Sequence, residues 1–412
     1  MHSLPSVPLL RAFDAVARTR SLTRAAAVLR RSQPALTIAM AKLEKGLDVG
    51  LLERGRSGAH LTEAGRILAH RTSRMFDRLD TALLDAAGAI EEQHLSDLFT
   101  DAQVRCMAAL ADHATVERAA EAIGITTASF RRTLQSLERL LARALLQPVV
   151  QGLGPTRQGA ELARRVKLAV LEIAAGIEEI EIDRGRIRSR IAIGVVPLSA
   201  TRLLSAAIND LLADYPEAGV TIAHGAYDPL LDDLRSARID LLFGVLRLPE
   251  GIGDVIEVPL FLDPYVVAAR KGHPLAGSRR LKLEDLARYD WIAPKTGTPR
   301  RQNLERMFKG YGVTPKIAIE TSSLNVQRSL LLSSDRVTLL TRQEMEDQTS
   351  RGSLTALSFT PAIERGHDGI AMRRDWQPTS VQRKFLDLLV RRCRMTETDA
   401  PPDRARRLRA NI

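Results

Sequence analysis

Leu9, Leu10, Phe13, Val16 and Ala17 recur at helical spacing, which predicts an amphipathic helix over residues 6–18. A second helix begins behind Ser21, a residue type that caps helix N-termini, and ends before the Arg30-Arg31-Ser32 turn. Its Ala25, Ala26 and Ala27 are small enough to let a neighbouring helix come close. A third helix starts at Ser32 with Pro34 in its first turn, and Leu36, Met40, Leu43 and Leu47 line one face. The stretch LLERGRSGAHLTEAG then sets a Gly/Ser tip between two short apolar-flanked segments, the pattern of a small β-wing. Two short helices across a tight turn form a helix-turn-helix, whose second helix enters a major groove with its N-terminal residues near base edges.

The pattern occurs twice. SLTRAAAVLRRSQPALTIAMAKLE at 21–44 returns 94 residues downstream as TVERAAEAIGITTASFRRTLQSLE at 115–138, in register and without a gap. Phe130, Leu134, Leu137 and Leu141 repeat the apolar stripe, and Thr156 and Gly159 match Thr62 and Gly65. A long amphipathic stretch follows each wing: 63–92, striped by Leu68, Met75, Leu79 and Leu83, and 158–184, striped by Leu162, Val166, Val170, Ile173 and Ile177. Such stripes seek a partner, and two per chain leave the pairing scheme open.

From Ile191 the period changes to short β-rich runs (IAIGVV, VTIAH, DLLFGV, PYVVAAR, WIAP, KIAIET, RVTLLT) alternating with helical patterns. This predicts an α/β body with mostly parallel sheets. Ligands in such folds lie outside the carboxyl ends of strands, where helix N-termini offer N–H groups. Four loops fit, at 197–199, 225–227, 296–300 and 321–323, and their candidate ligand residues are Leu198, Ser199, Tyr227, Thr296, Thr298, Arg300, Ser322 and Ser323. For a lone Ser or Thr there, capping a helix is the commoner job, and a cap and a ligand donor can be the same group.

Charge sharpens the picture. The chain of 412 residues carries a net +11, and residues 1–76 alone hold 13 Lys/Arg against 5 Asp/Glu. Residues 77–190 hold 15 against 17 and residues 191–412 hold 32 against 27, so the excess sits on the first copy. A local basic excess on a helix-turn-helix suits a polyanionic duplex. The candidate DNA contacts are Arg24, Arg30, Arg31, Ser32, Gln33, Pro34, Thr37 and Lys42, with Arg54 and Arg56 on the wing. In the second copy they are Thr126, Thr127, Ser129, Arg131 and Arg132. The second copy sets Arg131 and Arg132 at the positions of Thr37 and Ile38, where they suit guanine or phosphate, yet its wing LLQPVVQGLGPT holds no cation. It is either an auxiliary DNA reader or a helix-turn-helix kept for packing and dimer contacts.

Cys106 and Cys393 lie far apart in apolar helical patterns, which offers neither a disulfide framework nor a metal spacing. His224 and His273 have no partner at ligand or catalytic spacing. No Gly-rich phosphate loop, nucleophile elbow or close carboxylate pair points to an enzyme, and no cofactor is implied. The first residues lack a signal-peptide pattern and no apolar run reaches membrane-spanning length, so a soluble cytoplasmic protein is expected.

The run F-x-x-V-A, then S-L-T-R-A-A, S-Q-P-A-L-T, K-L-E and L-T-E-A-G, over about residues 7–70, resembles the winged helix-turn-helix of LysR-type transcriptional regulators. Residues of about 191–390, with DLLFGVLR, RKGHPL, APKTGTPRR and IETSSL, resemble that family's effector-binding region, which is similar to type 2 periplasmic binding proteins with two lobes around a cleft. The phrases look closest to the branch of galactose-binding-protein regulators and protocatechuate-pathway regulators. The resemblance implies a multidomain chain with these parts: a first winged helix-turn-helix over 1–65, a dimerisation helix and linker over 66–97, a second copy over 98–160, a linker helix and hinge over 161–189, a two-lobed α/β effector domain over 190–394, and a basic tail over 395–412. It also implies an at least dimeric homo-oligomer (dimer or tetramer), double-stranded DNA as partner, and a small-molecule effector, either a sugar or a carboxylate. Two alternatives stand beside this reading: a DNA-binding regulator whose body is a ligand-independent assembly module, and a cytoplasmic solute-binding protein.

Overall fold

The computed structural model describes residues 4–55, 58–87, 95–186, 189–196, 201–247, 253–309, 312–350, 352, 354–361, 363 and 366–394. The chain divides into two units, residues 1–189 with 378–380, and residues 190–377 with 381–412.

The first unit opens with α1 (Val7–Thr19), α2 (Leu22–Val28), α3 (Gln33–Leu47), β1 (Leu52–Gly55), β2 (Gly58–Leu61) and α4 (Glu63–Ala87). After a 3-10 turn at Leu95–Leu98 the order repeats as α5 (Asp101–Leu110), α6 (Val116–Ala122), α7 (Thr127–Leu141), β3 (Leu146–Val149), β4 (Gly152–Pro155) and α8 (Arg157–Asp183). Except for α5 and α8, which differ in length from α1 and α4, each element matches its counterpart 94 residues earlier at both ends.

The same side chains build both copies. Ser21 and Thr115 cap α2 and α6, and Ser32 and Thr126 cap α3 and α7, each hydroxyl accepting a hydrogen bond from the N–H three residues on. The helices α3 and α7 end in left-handed residues, Asp48 at φ 53° and Ala142 at φ 50°. Glu44 Oε1 then accepts from the N–H groups of Leu51 (2.8 Å) and Leu52 (3.1 Å), and Glu138 Oε1 does the same for Leu145 (2.7 Å) and Leu146 (3.0 Å). Gly65 and Gly159 press the next helix against this corner: a Cβ there would stand 2.2 Å from the Leu51 carbonyl oxygen and 2.0 Å from that of Leu145.

The two long helices, α4 and α8, pack on each other within the chain, antiparallel. Leu68 shares one core with Ile180, while Met75, Leu79 and Leu83 share another with Leu162, Ala163, Val166, Ala169 and Ile173. The stripes whose partner the sequence left open therefore cover one another. At the centre Glu172, 6% exposed, accepts from Arg71 (2.9 Å), Arg74 (3.0 Å) and Arg78 (3.0 Å). Burial pushes its carboxyl up, but the hydrogen bonds and charges of Arg74, Arg71 and Arg78 outweigh that and hold it below the ordinary carboxylate range.

The second unit runs β5 (Arg190–Val195), α9 (Thr201–Asp214), β6 (Gly219–His224), α10 (Tyr227–Arg235), β7 (Leu241–Val245), β8 (Val255–Asp263), β9 (Tyr265–Arg270), α11 (Leu283–Ala287), β10 (Trp291–Ala293), α12 (Pro299–Lys309), β11 (Ile317–Glu320), α13 (Leu324–Leu332), β12 (Val337–Thr341), α14 (Arg342–Ser350), β13 (Leu354–Ala356), β14 (Gly366–Arg373) and α15 (Ser380–Arg394). Two five-stranded sheets result, ordered β6-β5-β7-β14-β8 and β11-β10-β12-β9-β13. Only Pro264 separates β8 from β9, so the chain crosses there from one lobe to the other, and it returns between β13 and β14.

The sheets are mixed rather than mostly parallel. β5, β6 and β7 pair parallel, as do β10, β11 and β12, whereas β14 lies antiparallel to β7 and β8, and β9 antiparallel to β12 and β13. The reason is the double crossing: the strands that carry the chain between lobes enter each sheet against the direction of the βαβ units.

Candidate nucleic-acid and effector sites

The first head buries Phe13, Val16, Ala25, Ala26, Leu36, Met40 and Leu43 in one core, which fixes α3 across α2 and leaves its opposite face to solvent. On that face Gln33, Pro34 and Lys42 are exposed, as is Ile38 at 69%, and Thr37 is half-buried with its hydroxyl on the Gln33 carbonyl at 3.1 Å. Arg24, Arg30 and Arg31 are exposed around the turn, beside the Ser32 cap. Arg30 stands at φ 51°, a left-handed backbone that costs a residue with a Cβ about 1 kcal/mol. The second copy has Gly124 there, at φ 70°. A cation is thus held in the turn at the expense of backbone strain. Arg54 lies on β1; its side chain, and Arg56, lie outside the described residues.

In the second head Phe130, Leu134, Leu137 and Leu141 anchor α7 on Val116, Ala119 and Ala120. Thr126 caps the helix through the Ser129 N–H at 3.2 Å, Thr127 is half-buried, and Ser129, Arg131 and Arg132 are exposed. Arg118, exposed at the position equivalent to Arg24, belongs with them; the repeat alignment is the signal that identifies it. The wing of this copy ends in Val149 and the fully exposed Val150, with no cation among residues 146–155. Among the described residues, Arg24, Arg30, Arg31, Lys42, Arg118, Arg131 and Arg132 form no ion pair, so the heads present unneutralised positive charge to an approaching phosphate.

In the body, the carboxyl ends of parallel β10 and β11 bring two of the candidate loops side by side: Ala293 pairs with Glu320, and the Thr321 N–H donates to the Ala293 carbonyl at 2.9 Å. Thr296 and Ser322 are exposed there. Ser323 is exposed and caps α13 through the Val326 N–H at 3.4 Å, while the Thr298 hydroxyl is tied to the Lys295 carbonyl at 2.8 Å. Gln327, 1% exposed, donates to the Thr321 carbonyl at 2.8 Å and leaves its Oε1 without a hydrogen-bond partner. It is a polar group of this corner that its helical context hid.

Two candidates need correction. Arg300 is not a free guanidinium: it is 6% exposed, paired with Glu344 at 2.8 Å and hydrogen-bonded to the Leu339 carbonyl at 3.3 Å. Tyr227 is 5% exposed, donates its hydroxyl to Glu257 and lies under the Arg247 guanidinium at 4.3 Å, so it packs rather than lining a cleft. Burial first, and then the Glu257 carboxylate, push its phenol above the usual range. Leu198 and Ser199 lie outside the described residues.

Beside Arg300, at the crossing between lobes, Asp263 accepts from the Gln343 N–H at 3.1 Å. Burial pushes its carboxyl up to about 6, against the pull of Thr341, Gln343 and Arg300. His273 is buried, its ring hydrogen-bonded to the Asp335 carbonyl and packed at a tilt against Tyr289. Cys106 and Cys393 are buried free thiols. Among the described residues no helix is long and apolar enough to cross a membrane.

Comparison with known proteins identifies both units. A profile described as bacterial regulatory helix-turn-helix protein, lysR family, matches residues 8–66 and again 102–160, and one described as LysR substrate binding domain matches residues 184–394. The HTH-type transcriptional regulator GalR of Pseudomonas putida is 29% identical over 355 residues, 86% of this chain and 89% of that protein. GbpR of Rhizobium radiobacter is 26% identical over 241 residues, 57% of this chain and 78% of its own. The structure of a full-length OxyR variant from Pseudomonas aeruginosa superposes with a TM-score of 0.54 at 18% identity, covering 74% of this chain and 99% of that one, and shares the fold.

Proposed function

This chain belongs to the lysR family of bacterial regulatory helix-turn-helix proteins, as a transcriptional regulator with an effector-binding domain, and from that premise we propose how it works. It is a cytoplasmic homo-oligomer that binds double-stranded DNA through its helix-turn-helix heads and releases or reshapes that grip when a sugar or a carboxylate binds the body. The observation that carries the reading is the exposed, unpaired set of cations around α3 and α7. Gln33, Thr37 and Lys42 of α3 meet base edges and backbone, Arg24, Arg30 and Arg31 meet phosphates, and Arg54 and Arg56 extend the grip through the wing.

The effector sits against the loops after β10 and β11, held by the hydroxyls of Thr296, Ser322 and Ser323 and by backbone N–H groups. With Arg300 engaged by Glu344, recognition there rests on neutral donors. Because the stripes of α4 and α8 cover each other, chains are joined through other surfaces. An effector alters DNA binding only by its differential affinity for two arrangements of the body. The experiment is a thermal-shift screen of aldoses and aromatic carboxylates, followed by footprinting on DNA from upstream of the chain's own gene. A compound that raises the melting temperature must also change the footprint or the affinity; an unchanged footprint at saturation overturns the coupling.

A further inference from the structure

Equivalent positions in the two copies differ by 94, so a contact between α4 and α8 has a mate related by an approximate two-fold axis. Arg71 bonds Glu179 at 3.1 Å, and its mate, Arg165 to Asp85, is present too. The pair on the axis is Arg78 and Glu172, at 3.0 Å, which are each other's equivalents. On the axis of a true homodimer a residue meets its own copy. A second α4 against α4 would set Arg78 on Arg78 with Arg71 and Arg74 close by, and α8 against α8 would set Glu172 on Glu172. The charges therefore select the mixed pair that the structure contains.

The heads joined by this pair differ. On α3 the groove-facing positions hold Gln33, Thr37 and Ile38, and on α7 the same positions hold Thr127, Arg131 and Arg132. The turn holds Arg30 and Arg31 in one copy and Gly124 and Ile125 in the other. An amide and methyl groups suit adenine and the thymine methyl, whereas exposed guanidinium groups suit guanine O6 and N7. Spacing agrees as well. Gly176 lies against Arg71, so Glu63 and Arg157, which begin α4 and α8, are separated along the axis by roughly 40 Å at 1.5 Å rise per residue. That is on the order of one turn of duplex, about 35 Å.

We propose that this mixed pair is the DNA-reading unit: one chain lays two unlike recognition helices in successive major grooves, and its operator is two unlike half-sites, one rich in A·T and one containing guanine, in place of an inverted repeat. The proposal rests on the DNA-binding reading above. The experiment is selection from a randomised duplex library with the full chain, repeated for Arg131→Ala/Arg132→Ala and for Gln33→Ala/Ile38→Ala, with native mass spectrometry of the selected complexes. All four residues are exposed, so the variants should keep the wild-type melting temperature. The expected site has two dissimilar halves and one chain per pair of halves. The arginine variant should lose roughly 10- to 100-fold discrimination at the guanine half only, and the glutamine/isoleucine variant at the A·T half only. An inverted repeat whose halves respond alike to one variant, or two chains per pair of halves, would overturn the proposal. Failure of any sequence to enrich would instead overturn the DNA-binding reading, and this proposal with it.

Discussion

Glu172→Leu is the sharpest probe of how the two copies are held together. The carboxylate is 6% exposed and accepts from three arginines, of which Arg71 is itself only 4% exposed. Replacing it leaves Arg71 buried and still bonded to Glu179, at 3.1 Å, while Arg74 and Arg78 can turn toward water. Breaking a buried pair by removing one partner costs about 3–5 kcal/mol, and the surviving Glu179 contact puts the expectation near the lower end. For a unit of this size that lowers the melting temperature by roughly 6–12 °C. Calorimetry of the full chain at pH 7 reads it. Two controls fix the cause. Glu172→Leu combined with Arg71→Leu should melt above the single variant, because no buried charge is then uncompensated. The deficit should also fade in acid: a carboxyl depressed in the folded state contributes its stability above its unfolded pKa of about 4.3 and loses it as pH falls through the lower folded value. A single variant melting within about 2 °C of wild type, or a deficit unchanged at pH 3, would refute the reasoning.

Further outcomes follow from particular residues. Arg30→Gly should raise the melting temperature slightly, by relieving up to about 1 kcal/mol of left-handed strain, yet weaken DNA binding and flatten its salt dependence by about one phosphate contact; a salt titration and a melting curve on one preparation check both signs. Gly159→Ala forces a Cβ onto the Leu145 carbonyl oxygen and should cost about 2–3 kcal/mol in chemical denaturation. Asp263→Asn should stabilise the second unit. With the folded pKa raised to about 6 from 3.8, wild type loses stability as pH rises from 4 to 6, by at most about 3 kcal/mol, and the variant should not. Denaturation at pH 4 and pH 7.5 measures that difference.

Much of this was legible in the chain. The caps at Ser21 and Ser32, the stripes on α3 and α7, and the 94-residue offset are local chemistry, and local chemistry survives into the fold. What failed depended on burial. Nothing in the residue types of Arg300 or Tyr227 says whether a loop side chain points to a ligand or to Glu344 and Glu257. The strands β8 and β14 escaped the pattern because Pro259 interrupts one and Gly369 the other. These two residues face each other at a register shift, with no room for a Cβ at Gly369. The stripe of Leu68, Met75, Leu79 and Leu83 announced a partner without naming it, since an apolar row reads the same for an intrachain and an interchain helix. The naming information lay in the charges: aligning Arg78 with Glu172 across the repeat already distinguishes the two.

That alignment also explains what two copies in one chain permit. In a symmetric dimer every residue on the axis must tolerate itself, which excludes a buried charge there unless water or a counter-ion covers it. Once the partner is a different segment of the same chain, position 78 can be Arg and position 172 Glu, and the constraint turns into a bond. On the proposed reading the same freedom reaches the DNA-facing surface. A homodimer reads one half-site twice, so a substitution on its recognition helix changes both halves together. Here Thr37 and Ile38 can stay neutral while Arg131 and Arg132 carry charge, and the strained Arg30 can be kept in one turn while Gly124 relaxes the other. With both heads on DNA, as proposed, linking them through α4 and α8 also makes the second binding event intramolecular. A modest affinity in each head then suffices for a tight grip, provided the spacing of the half-sites matches the length of the helix pair.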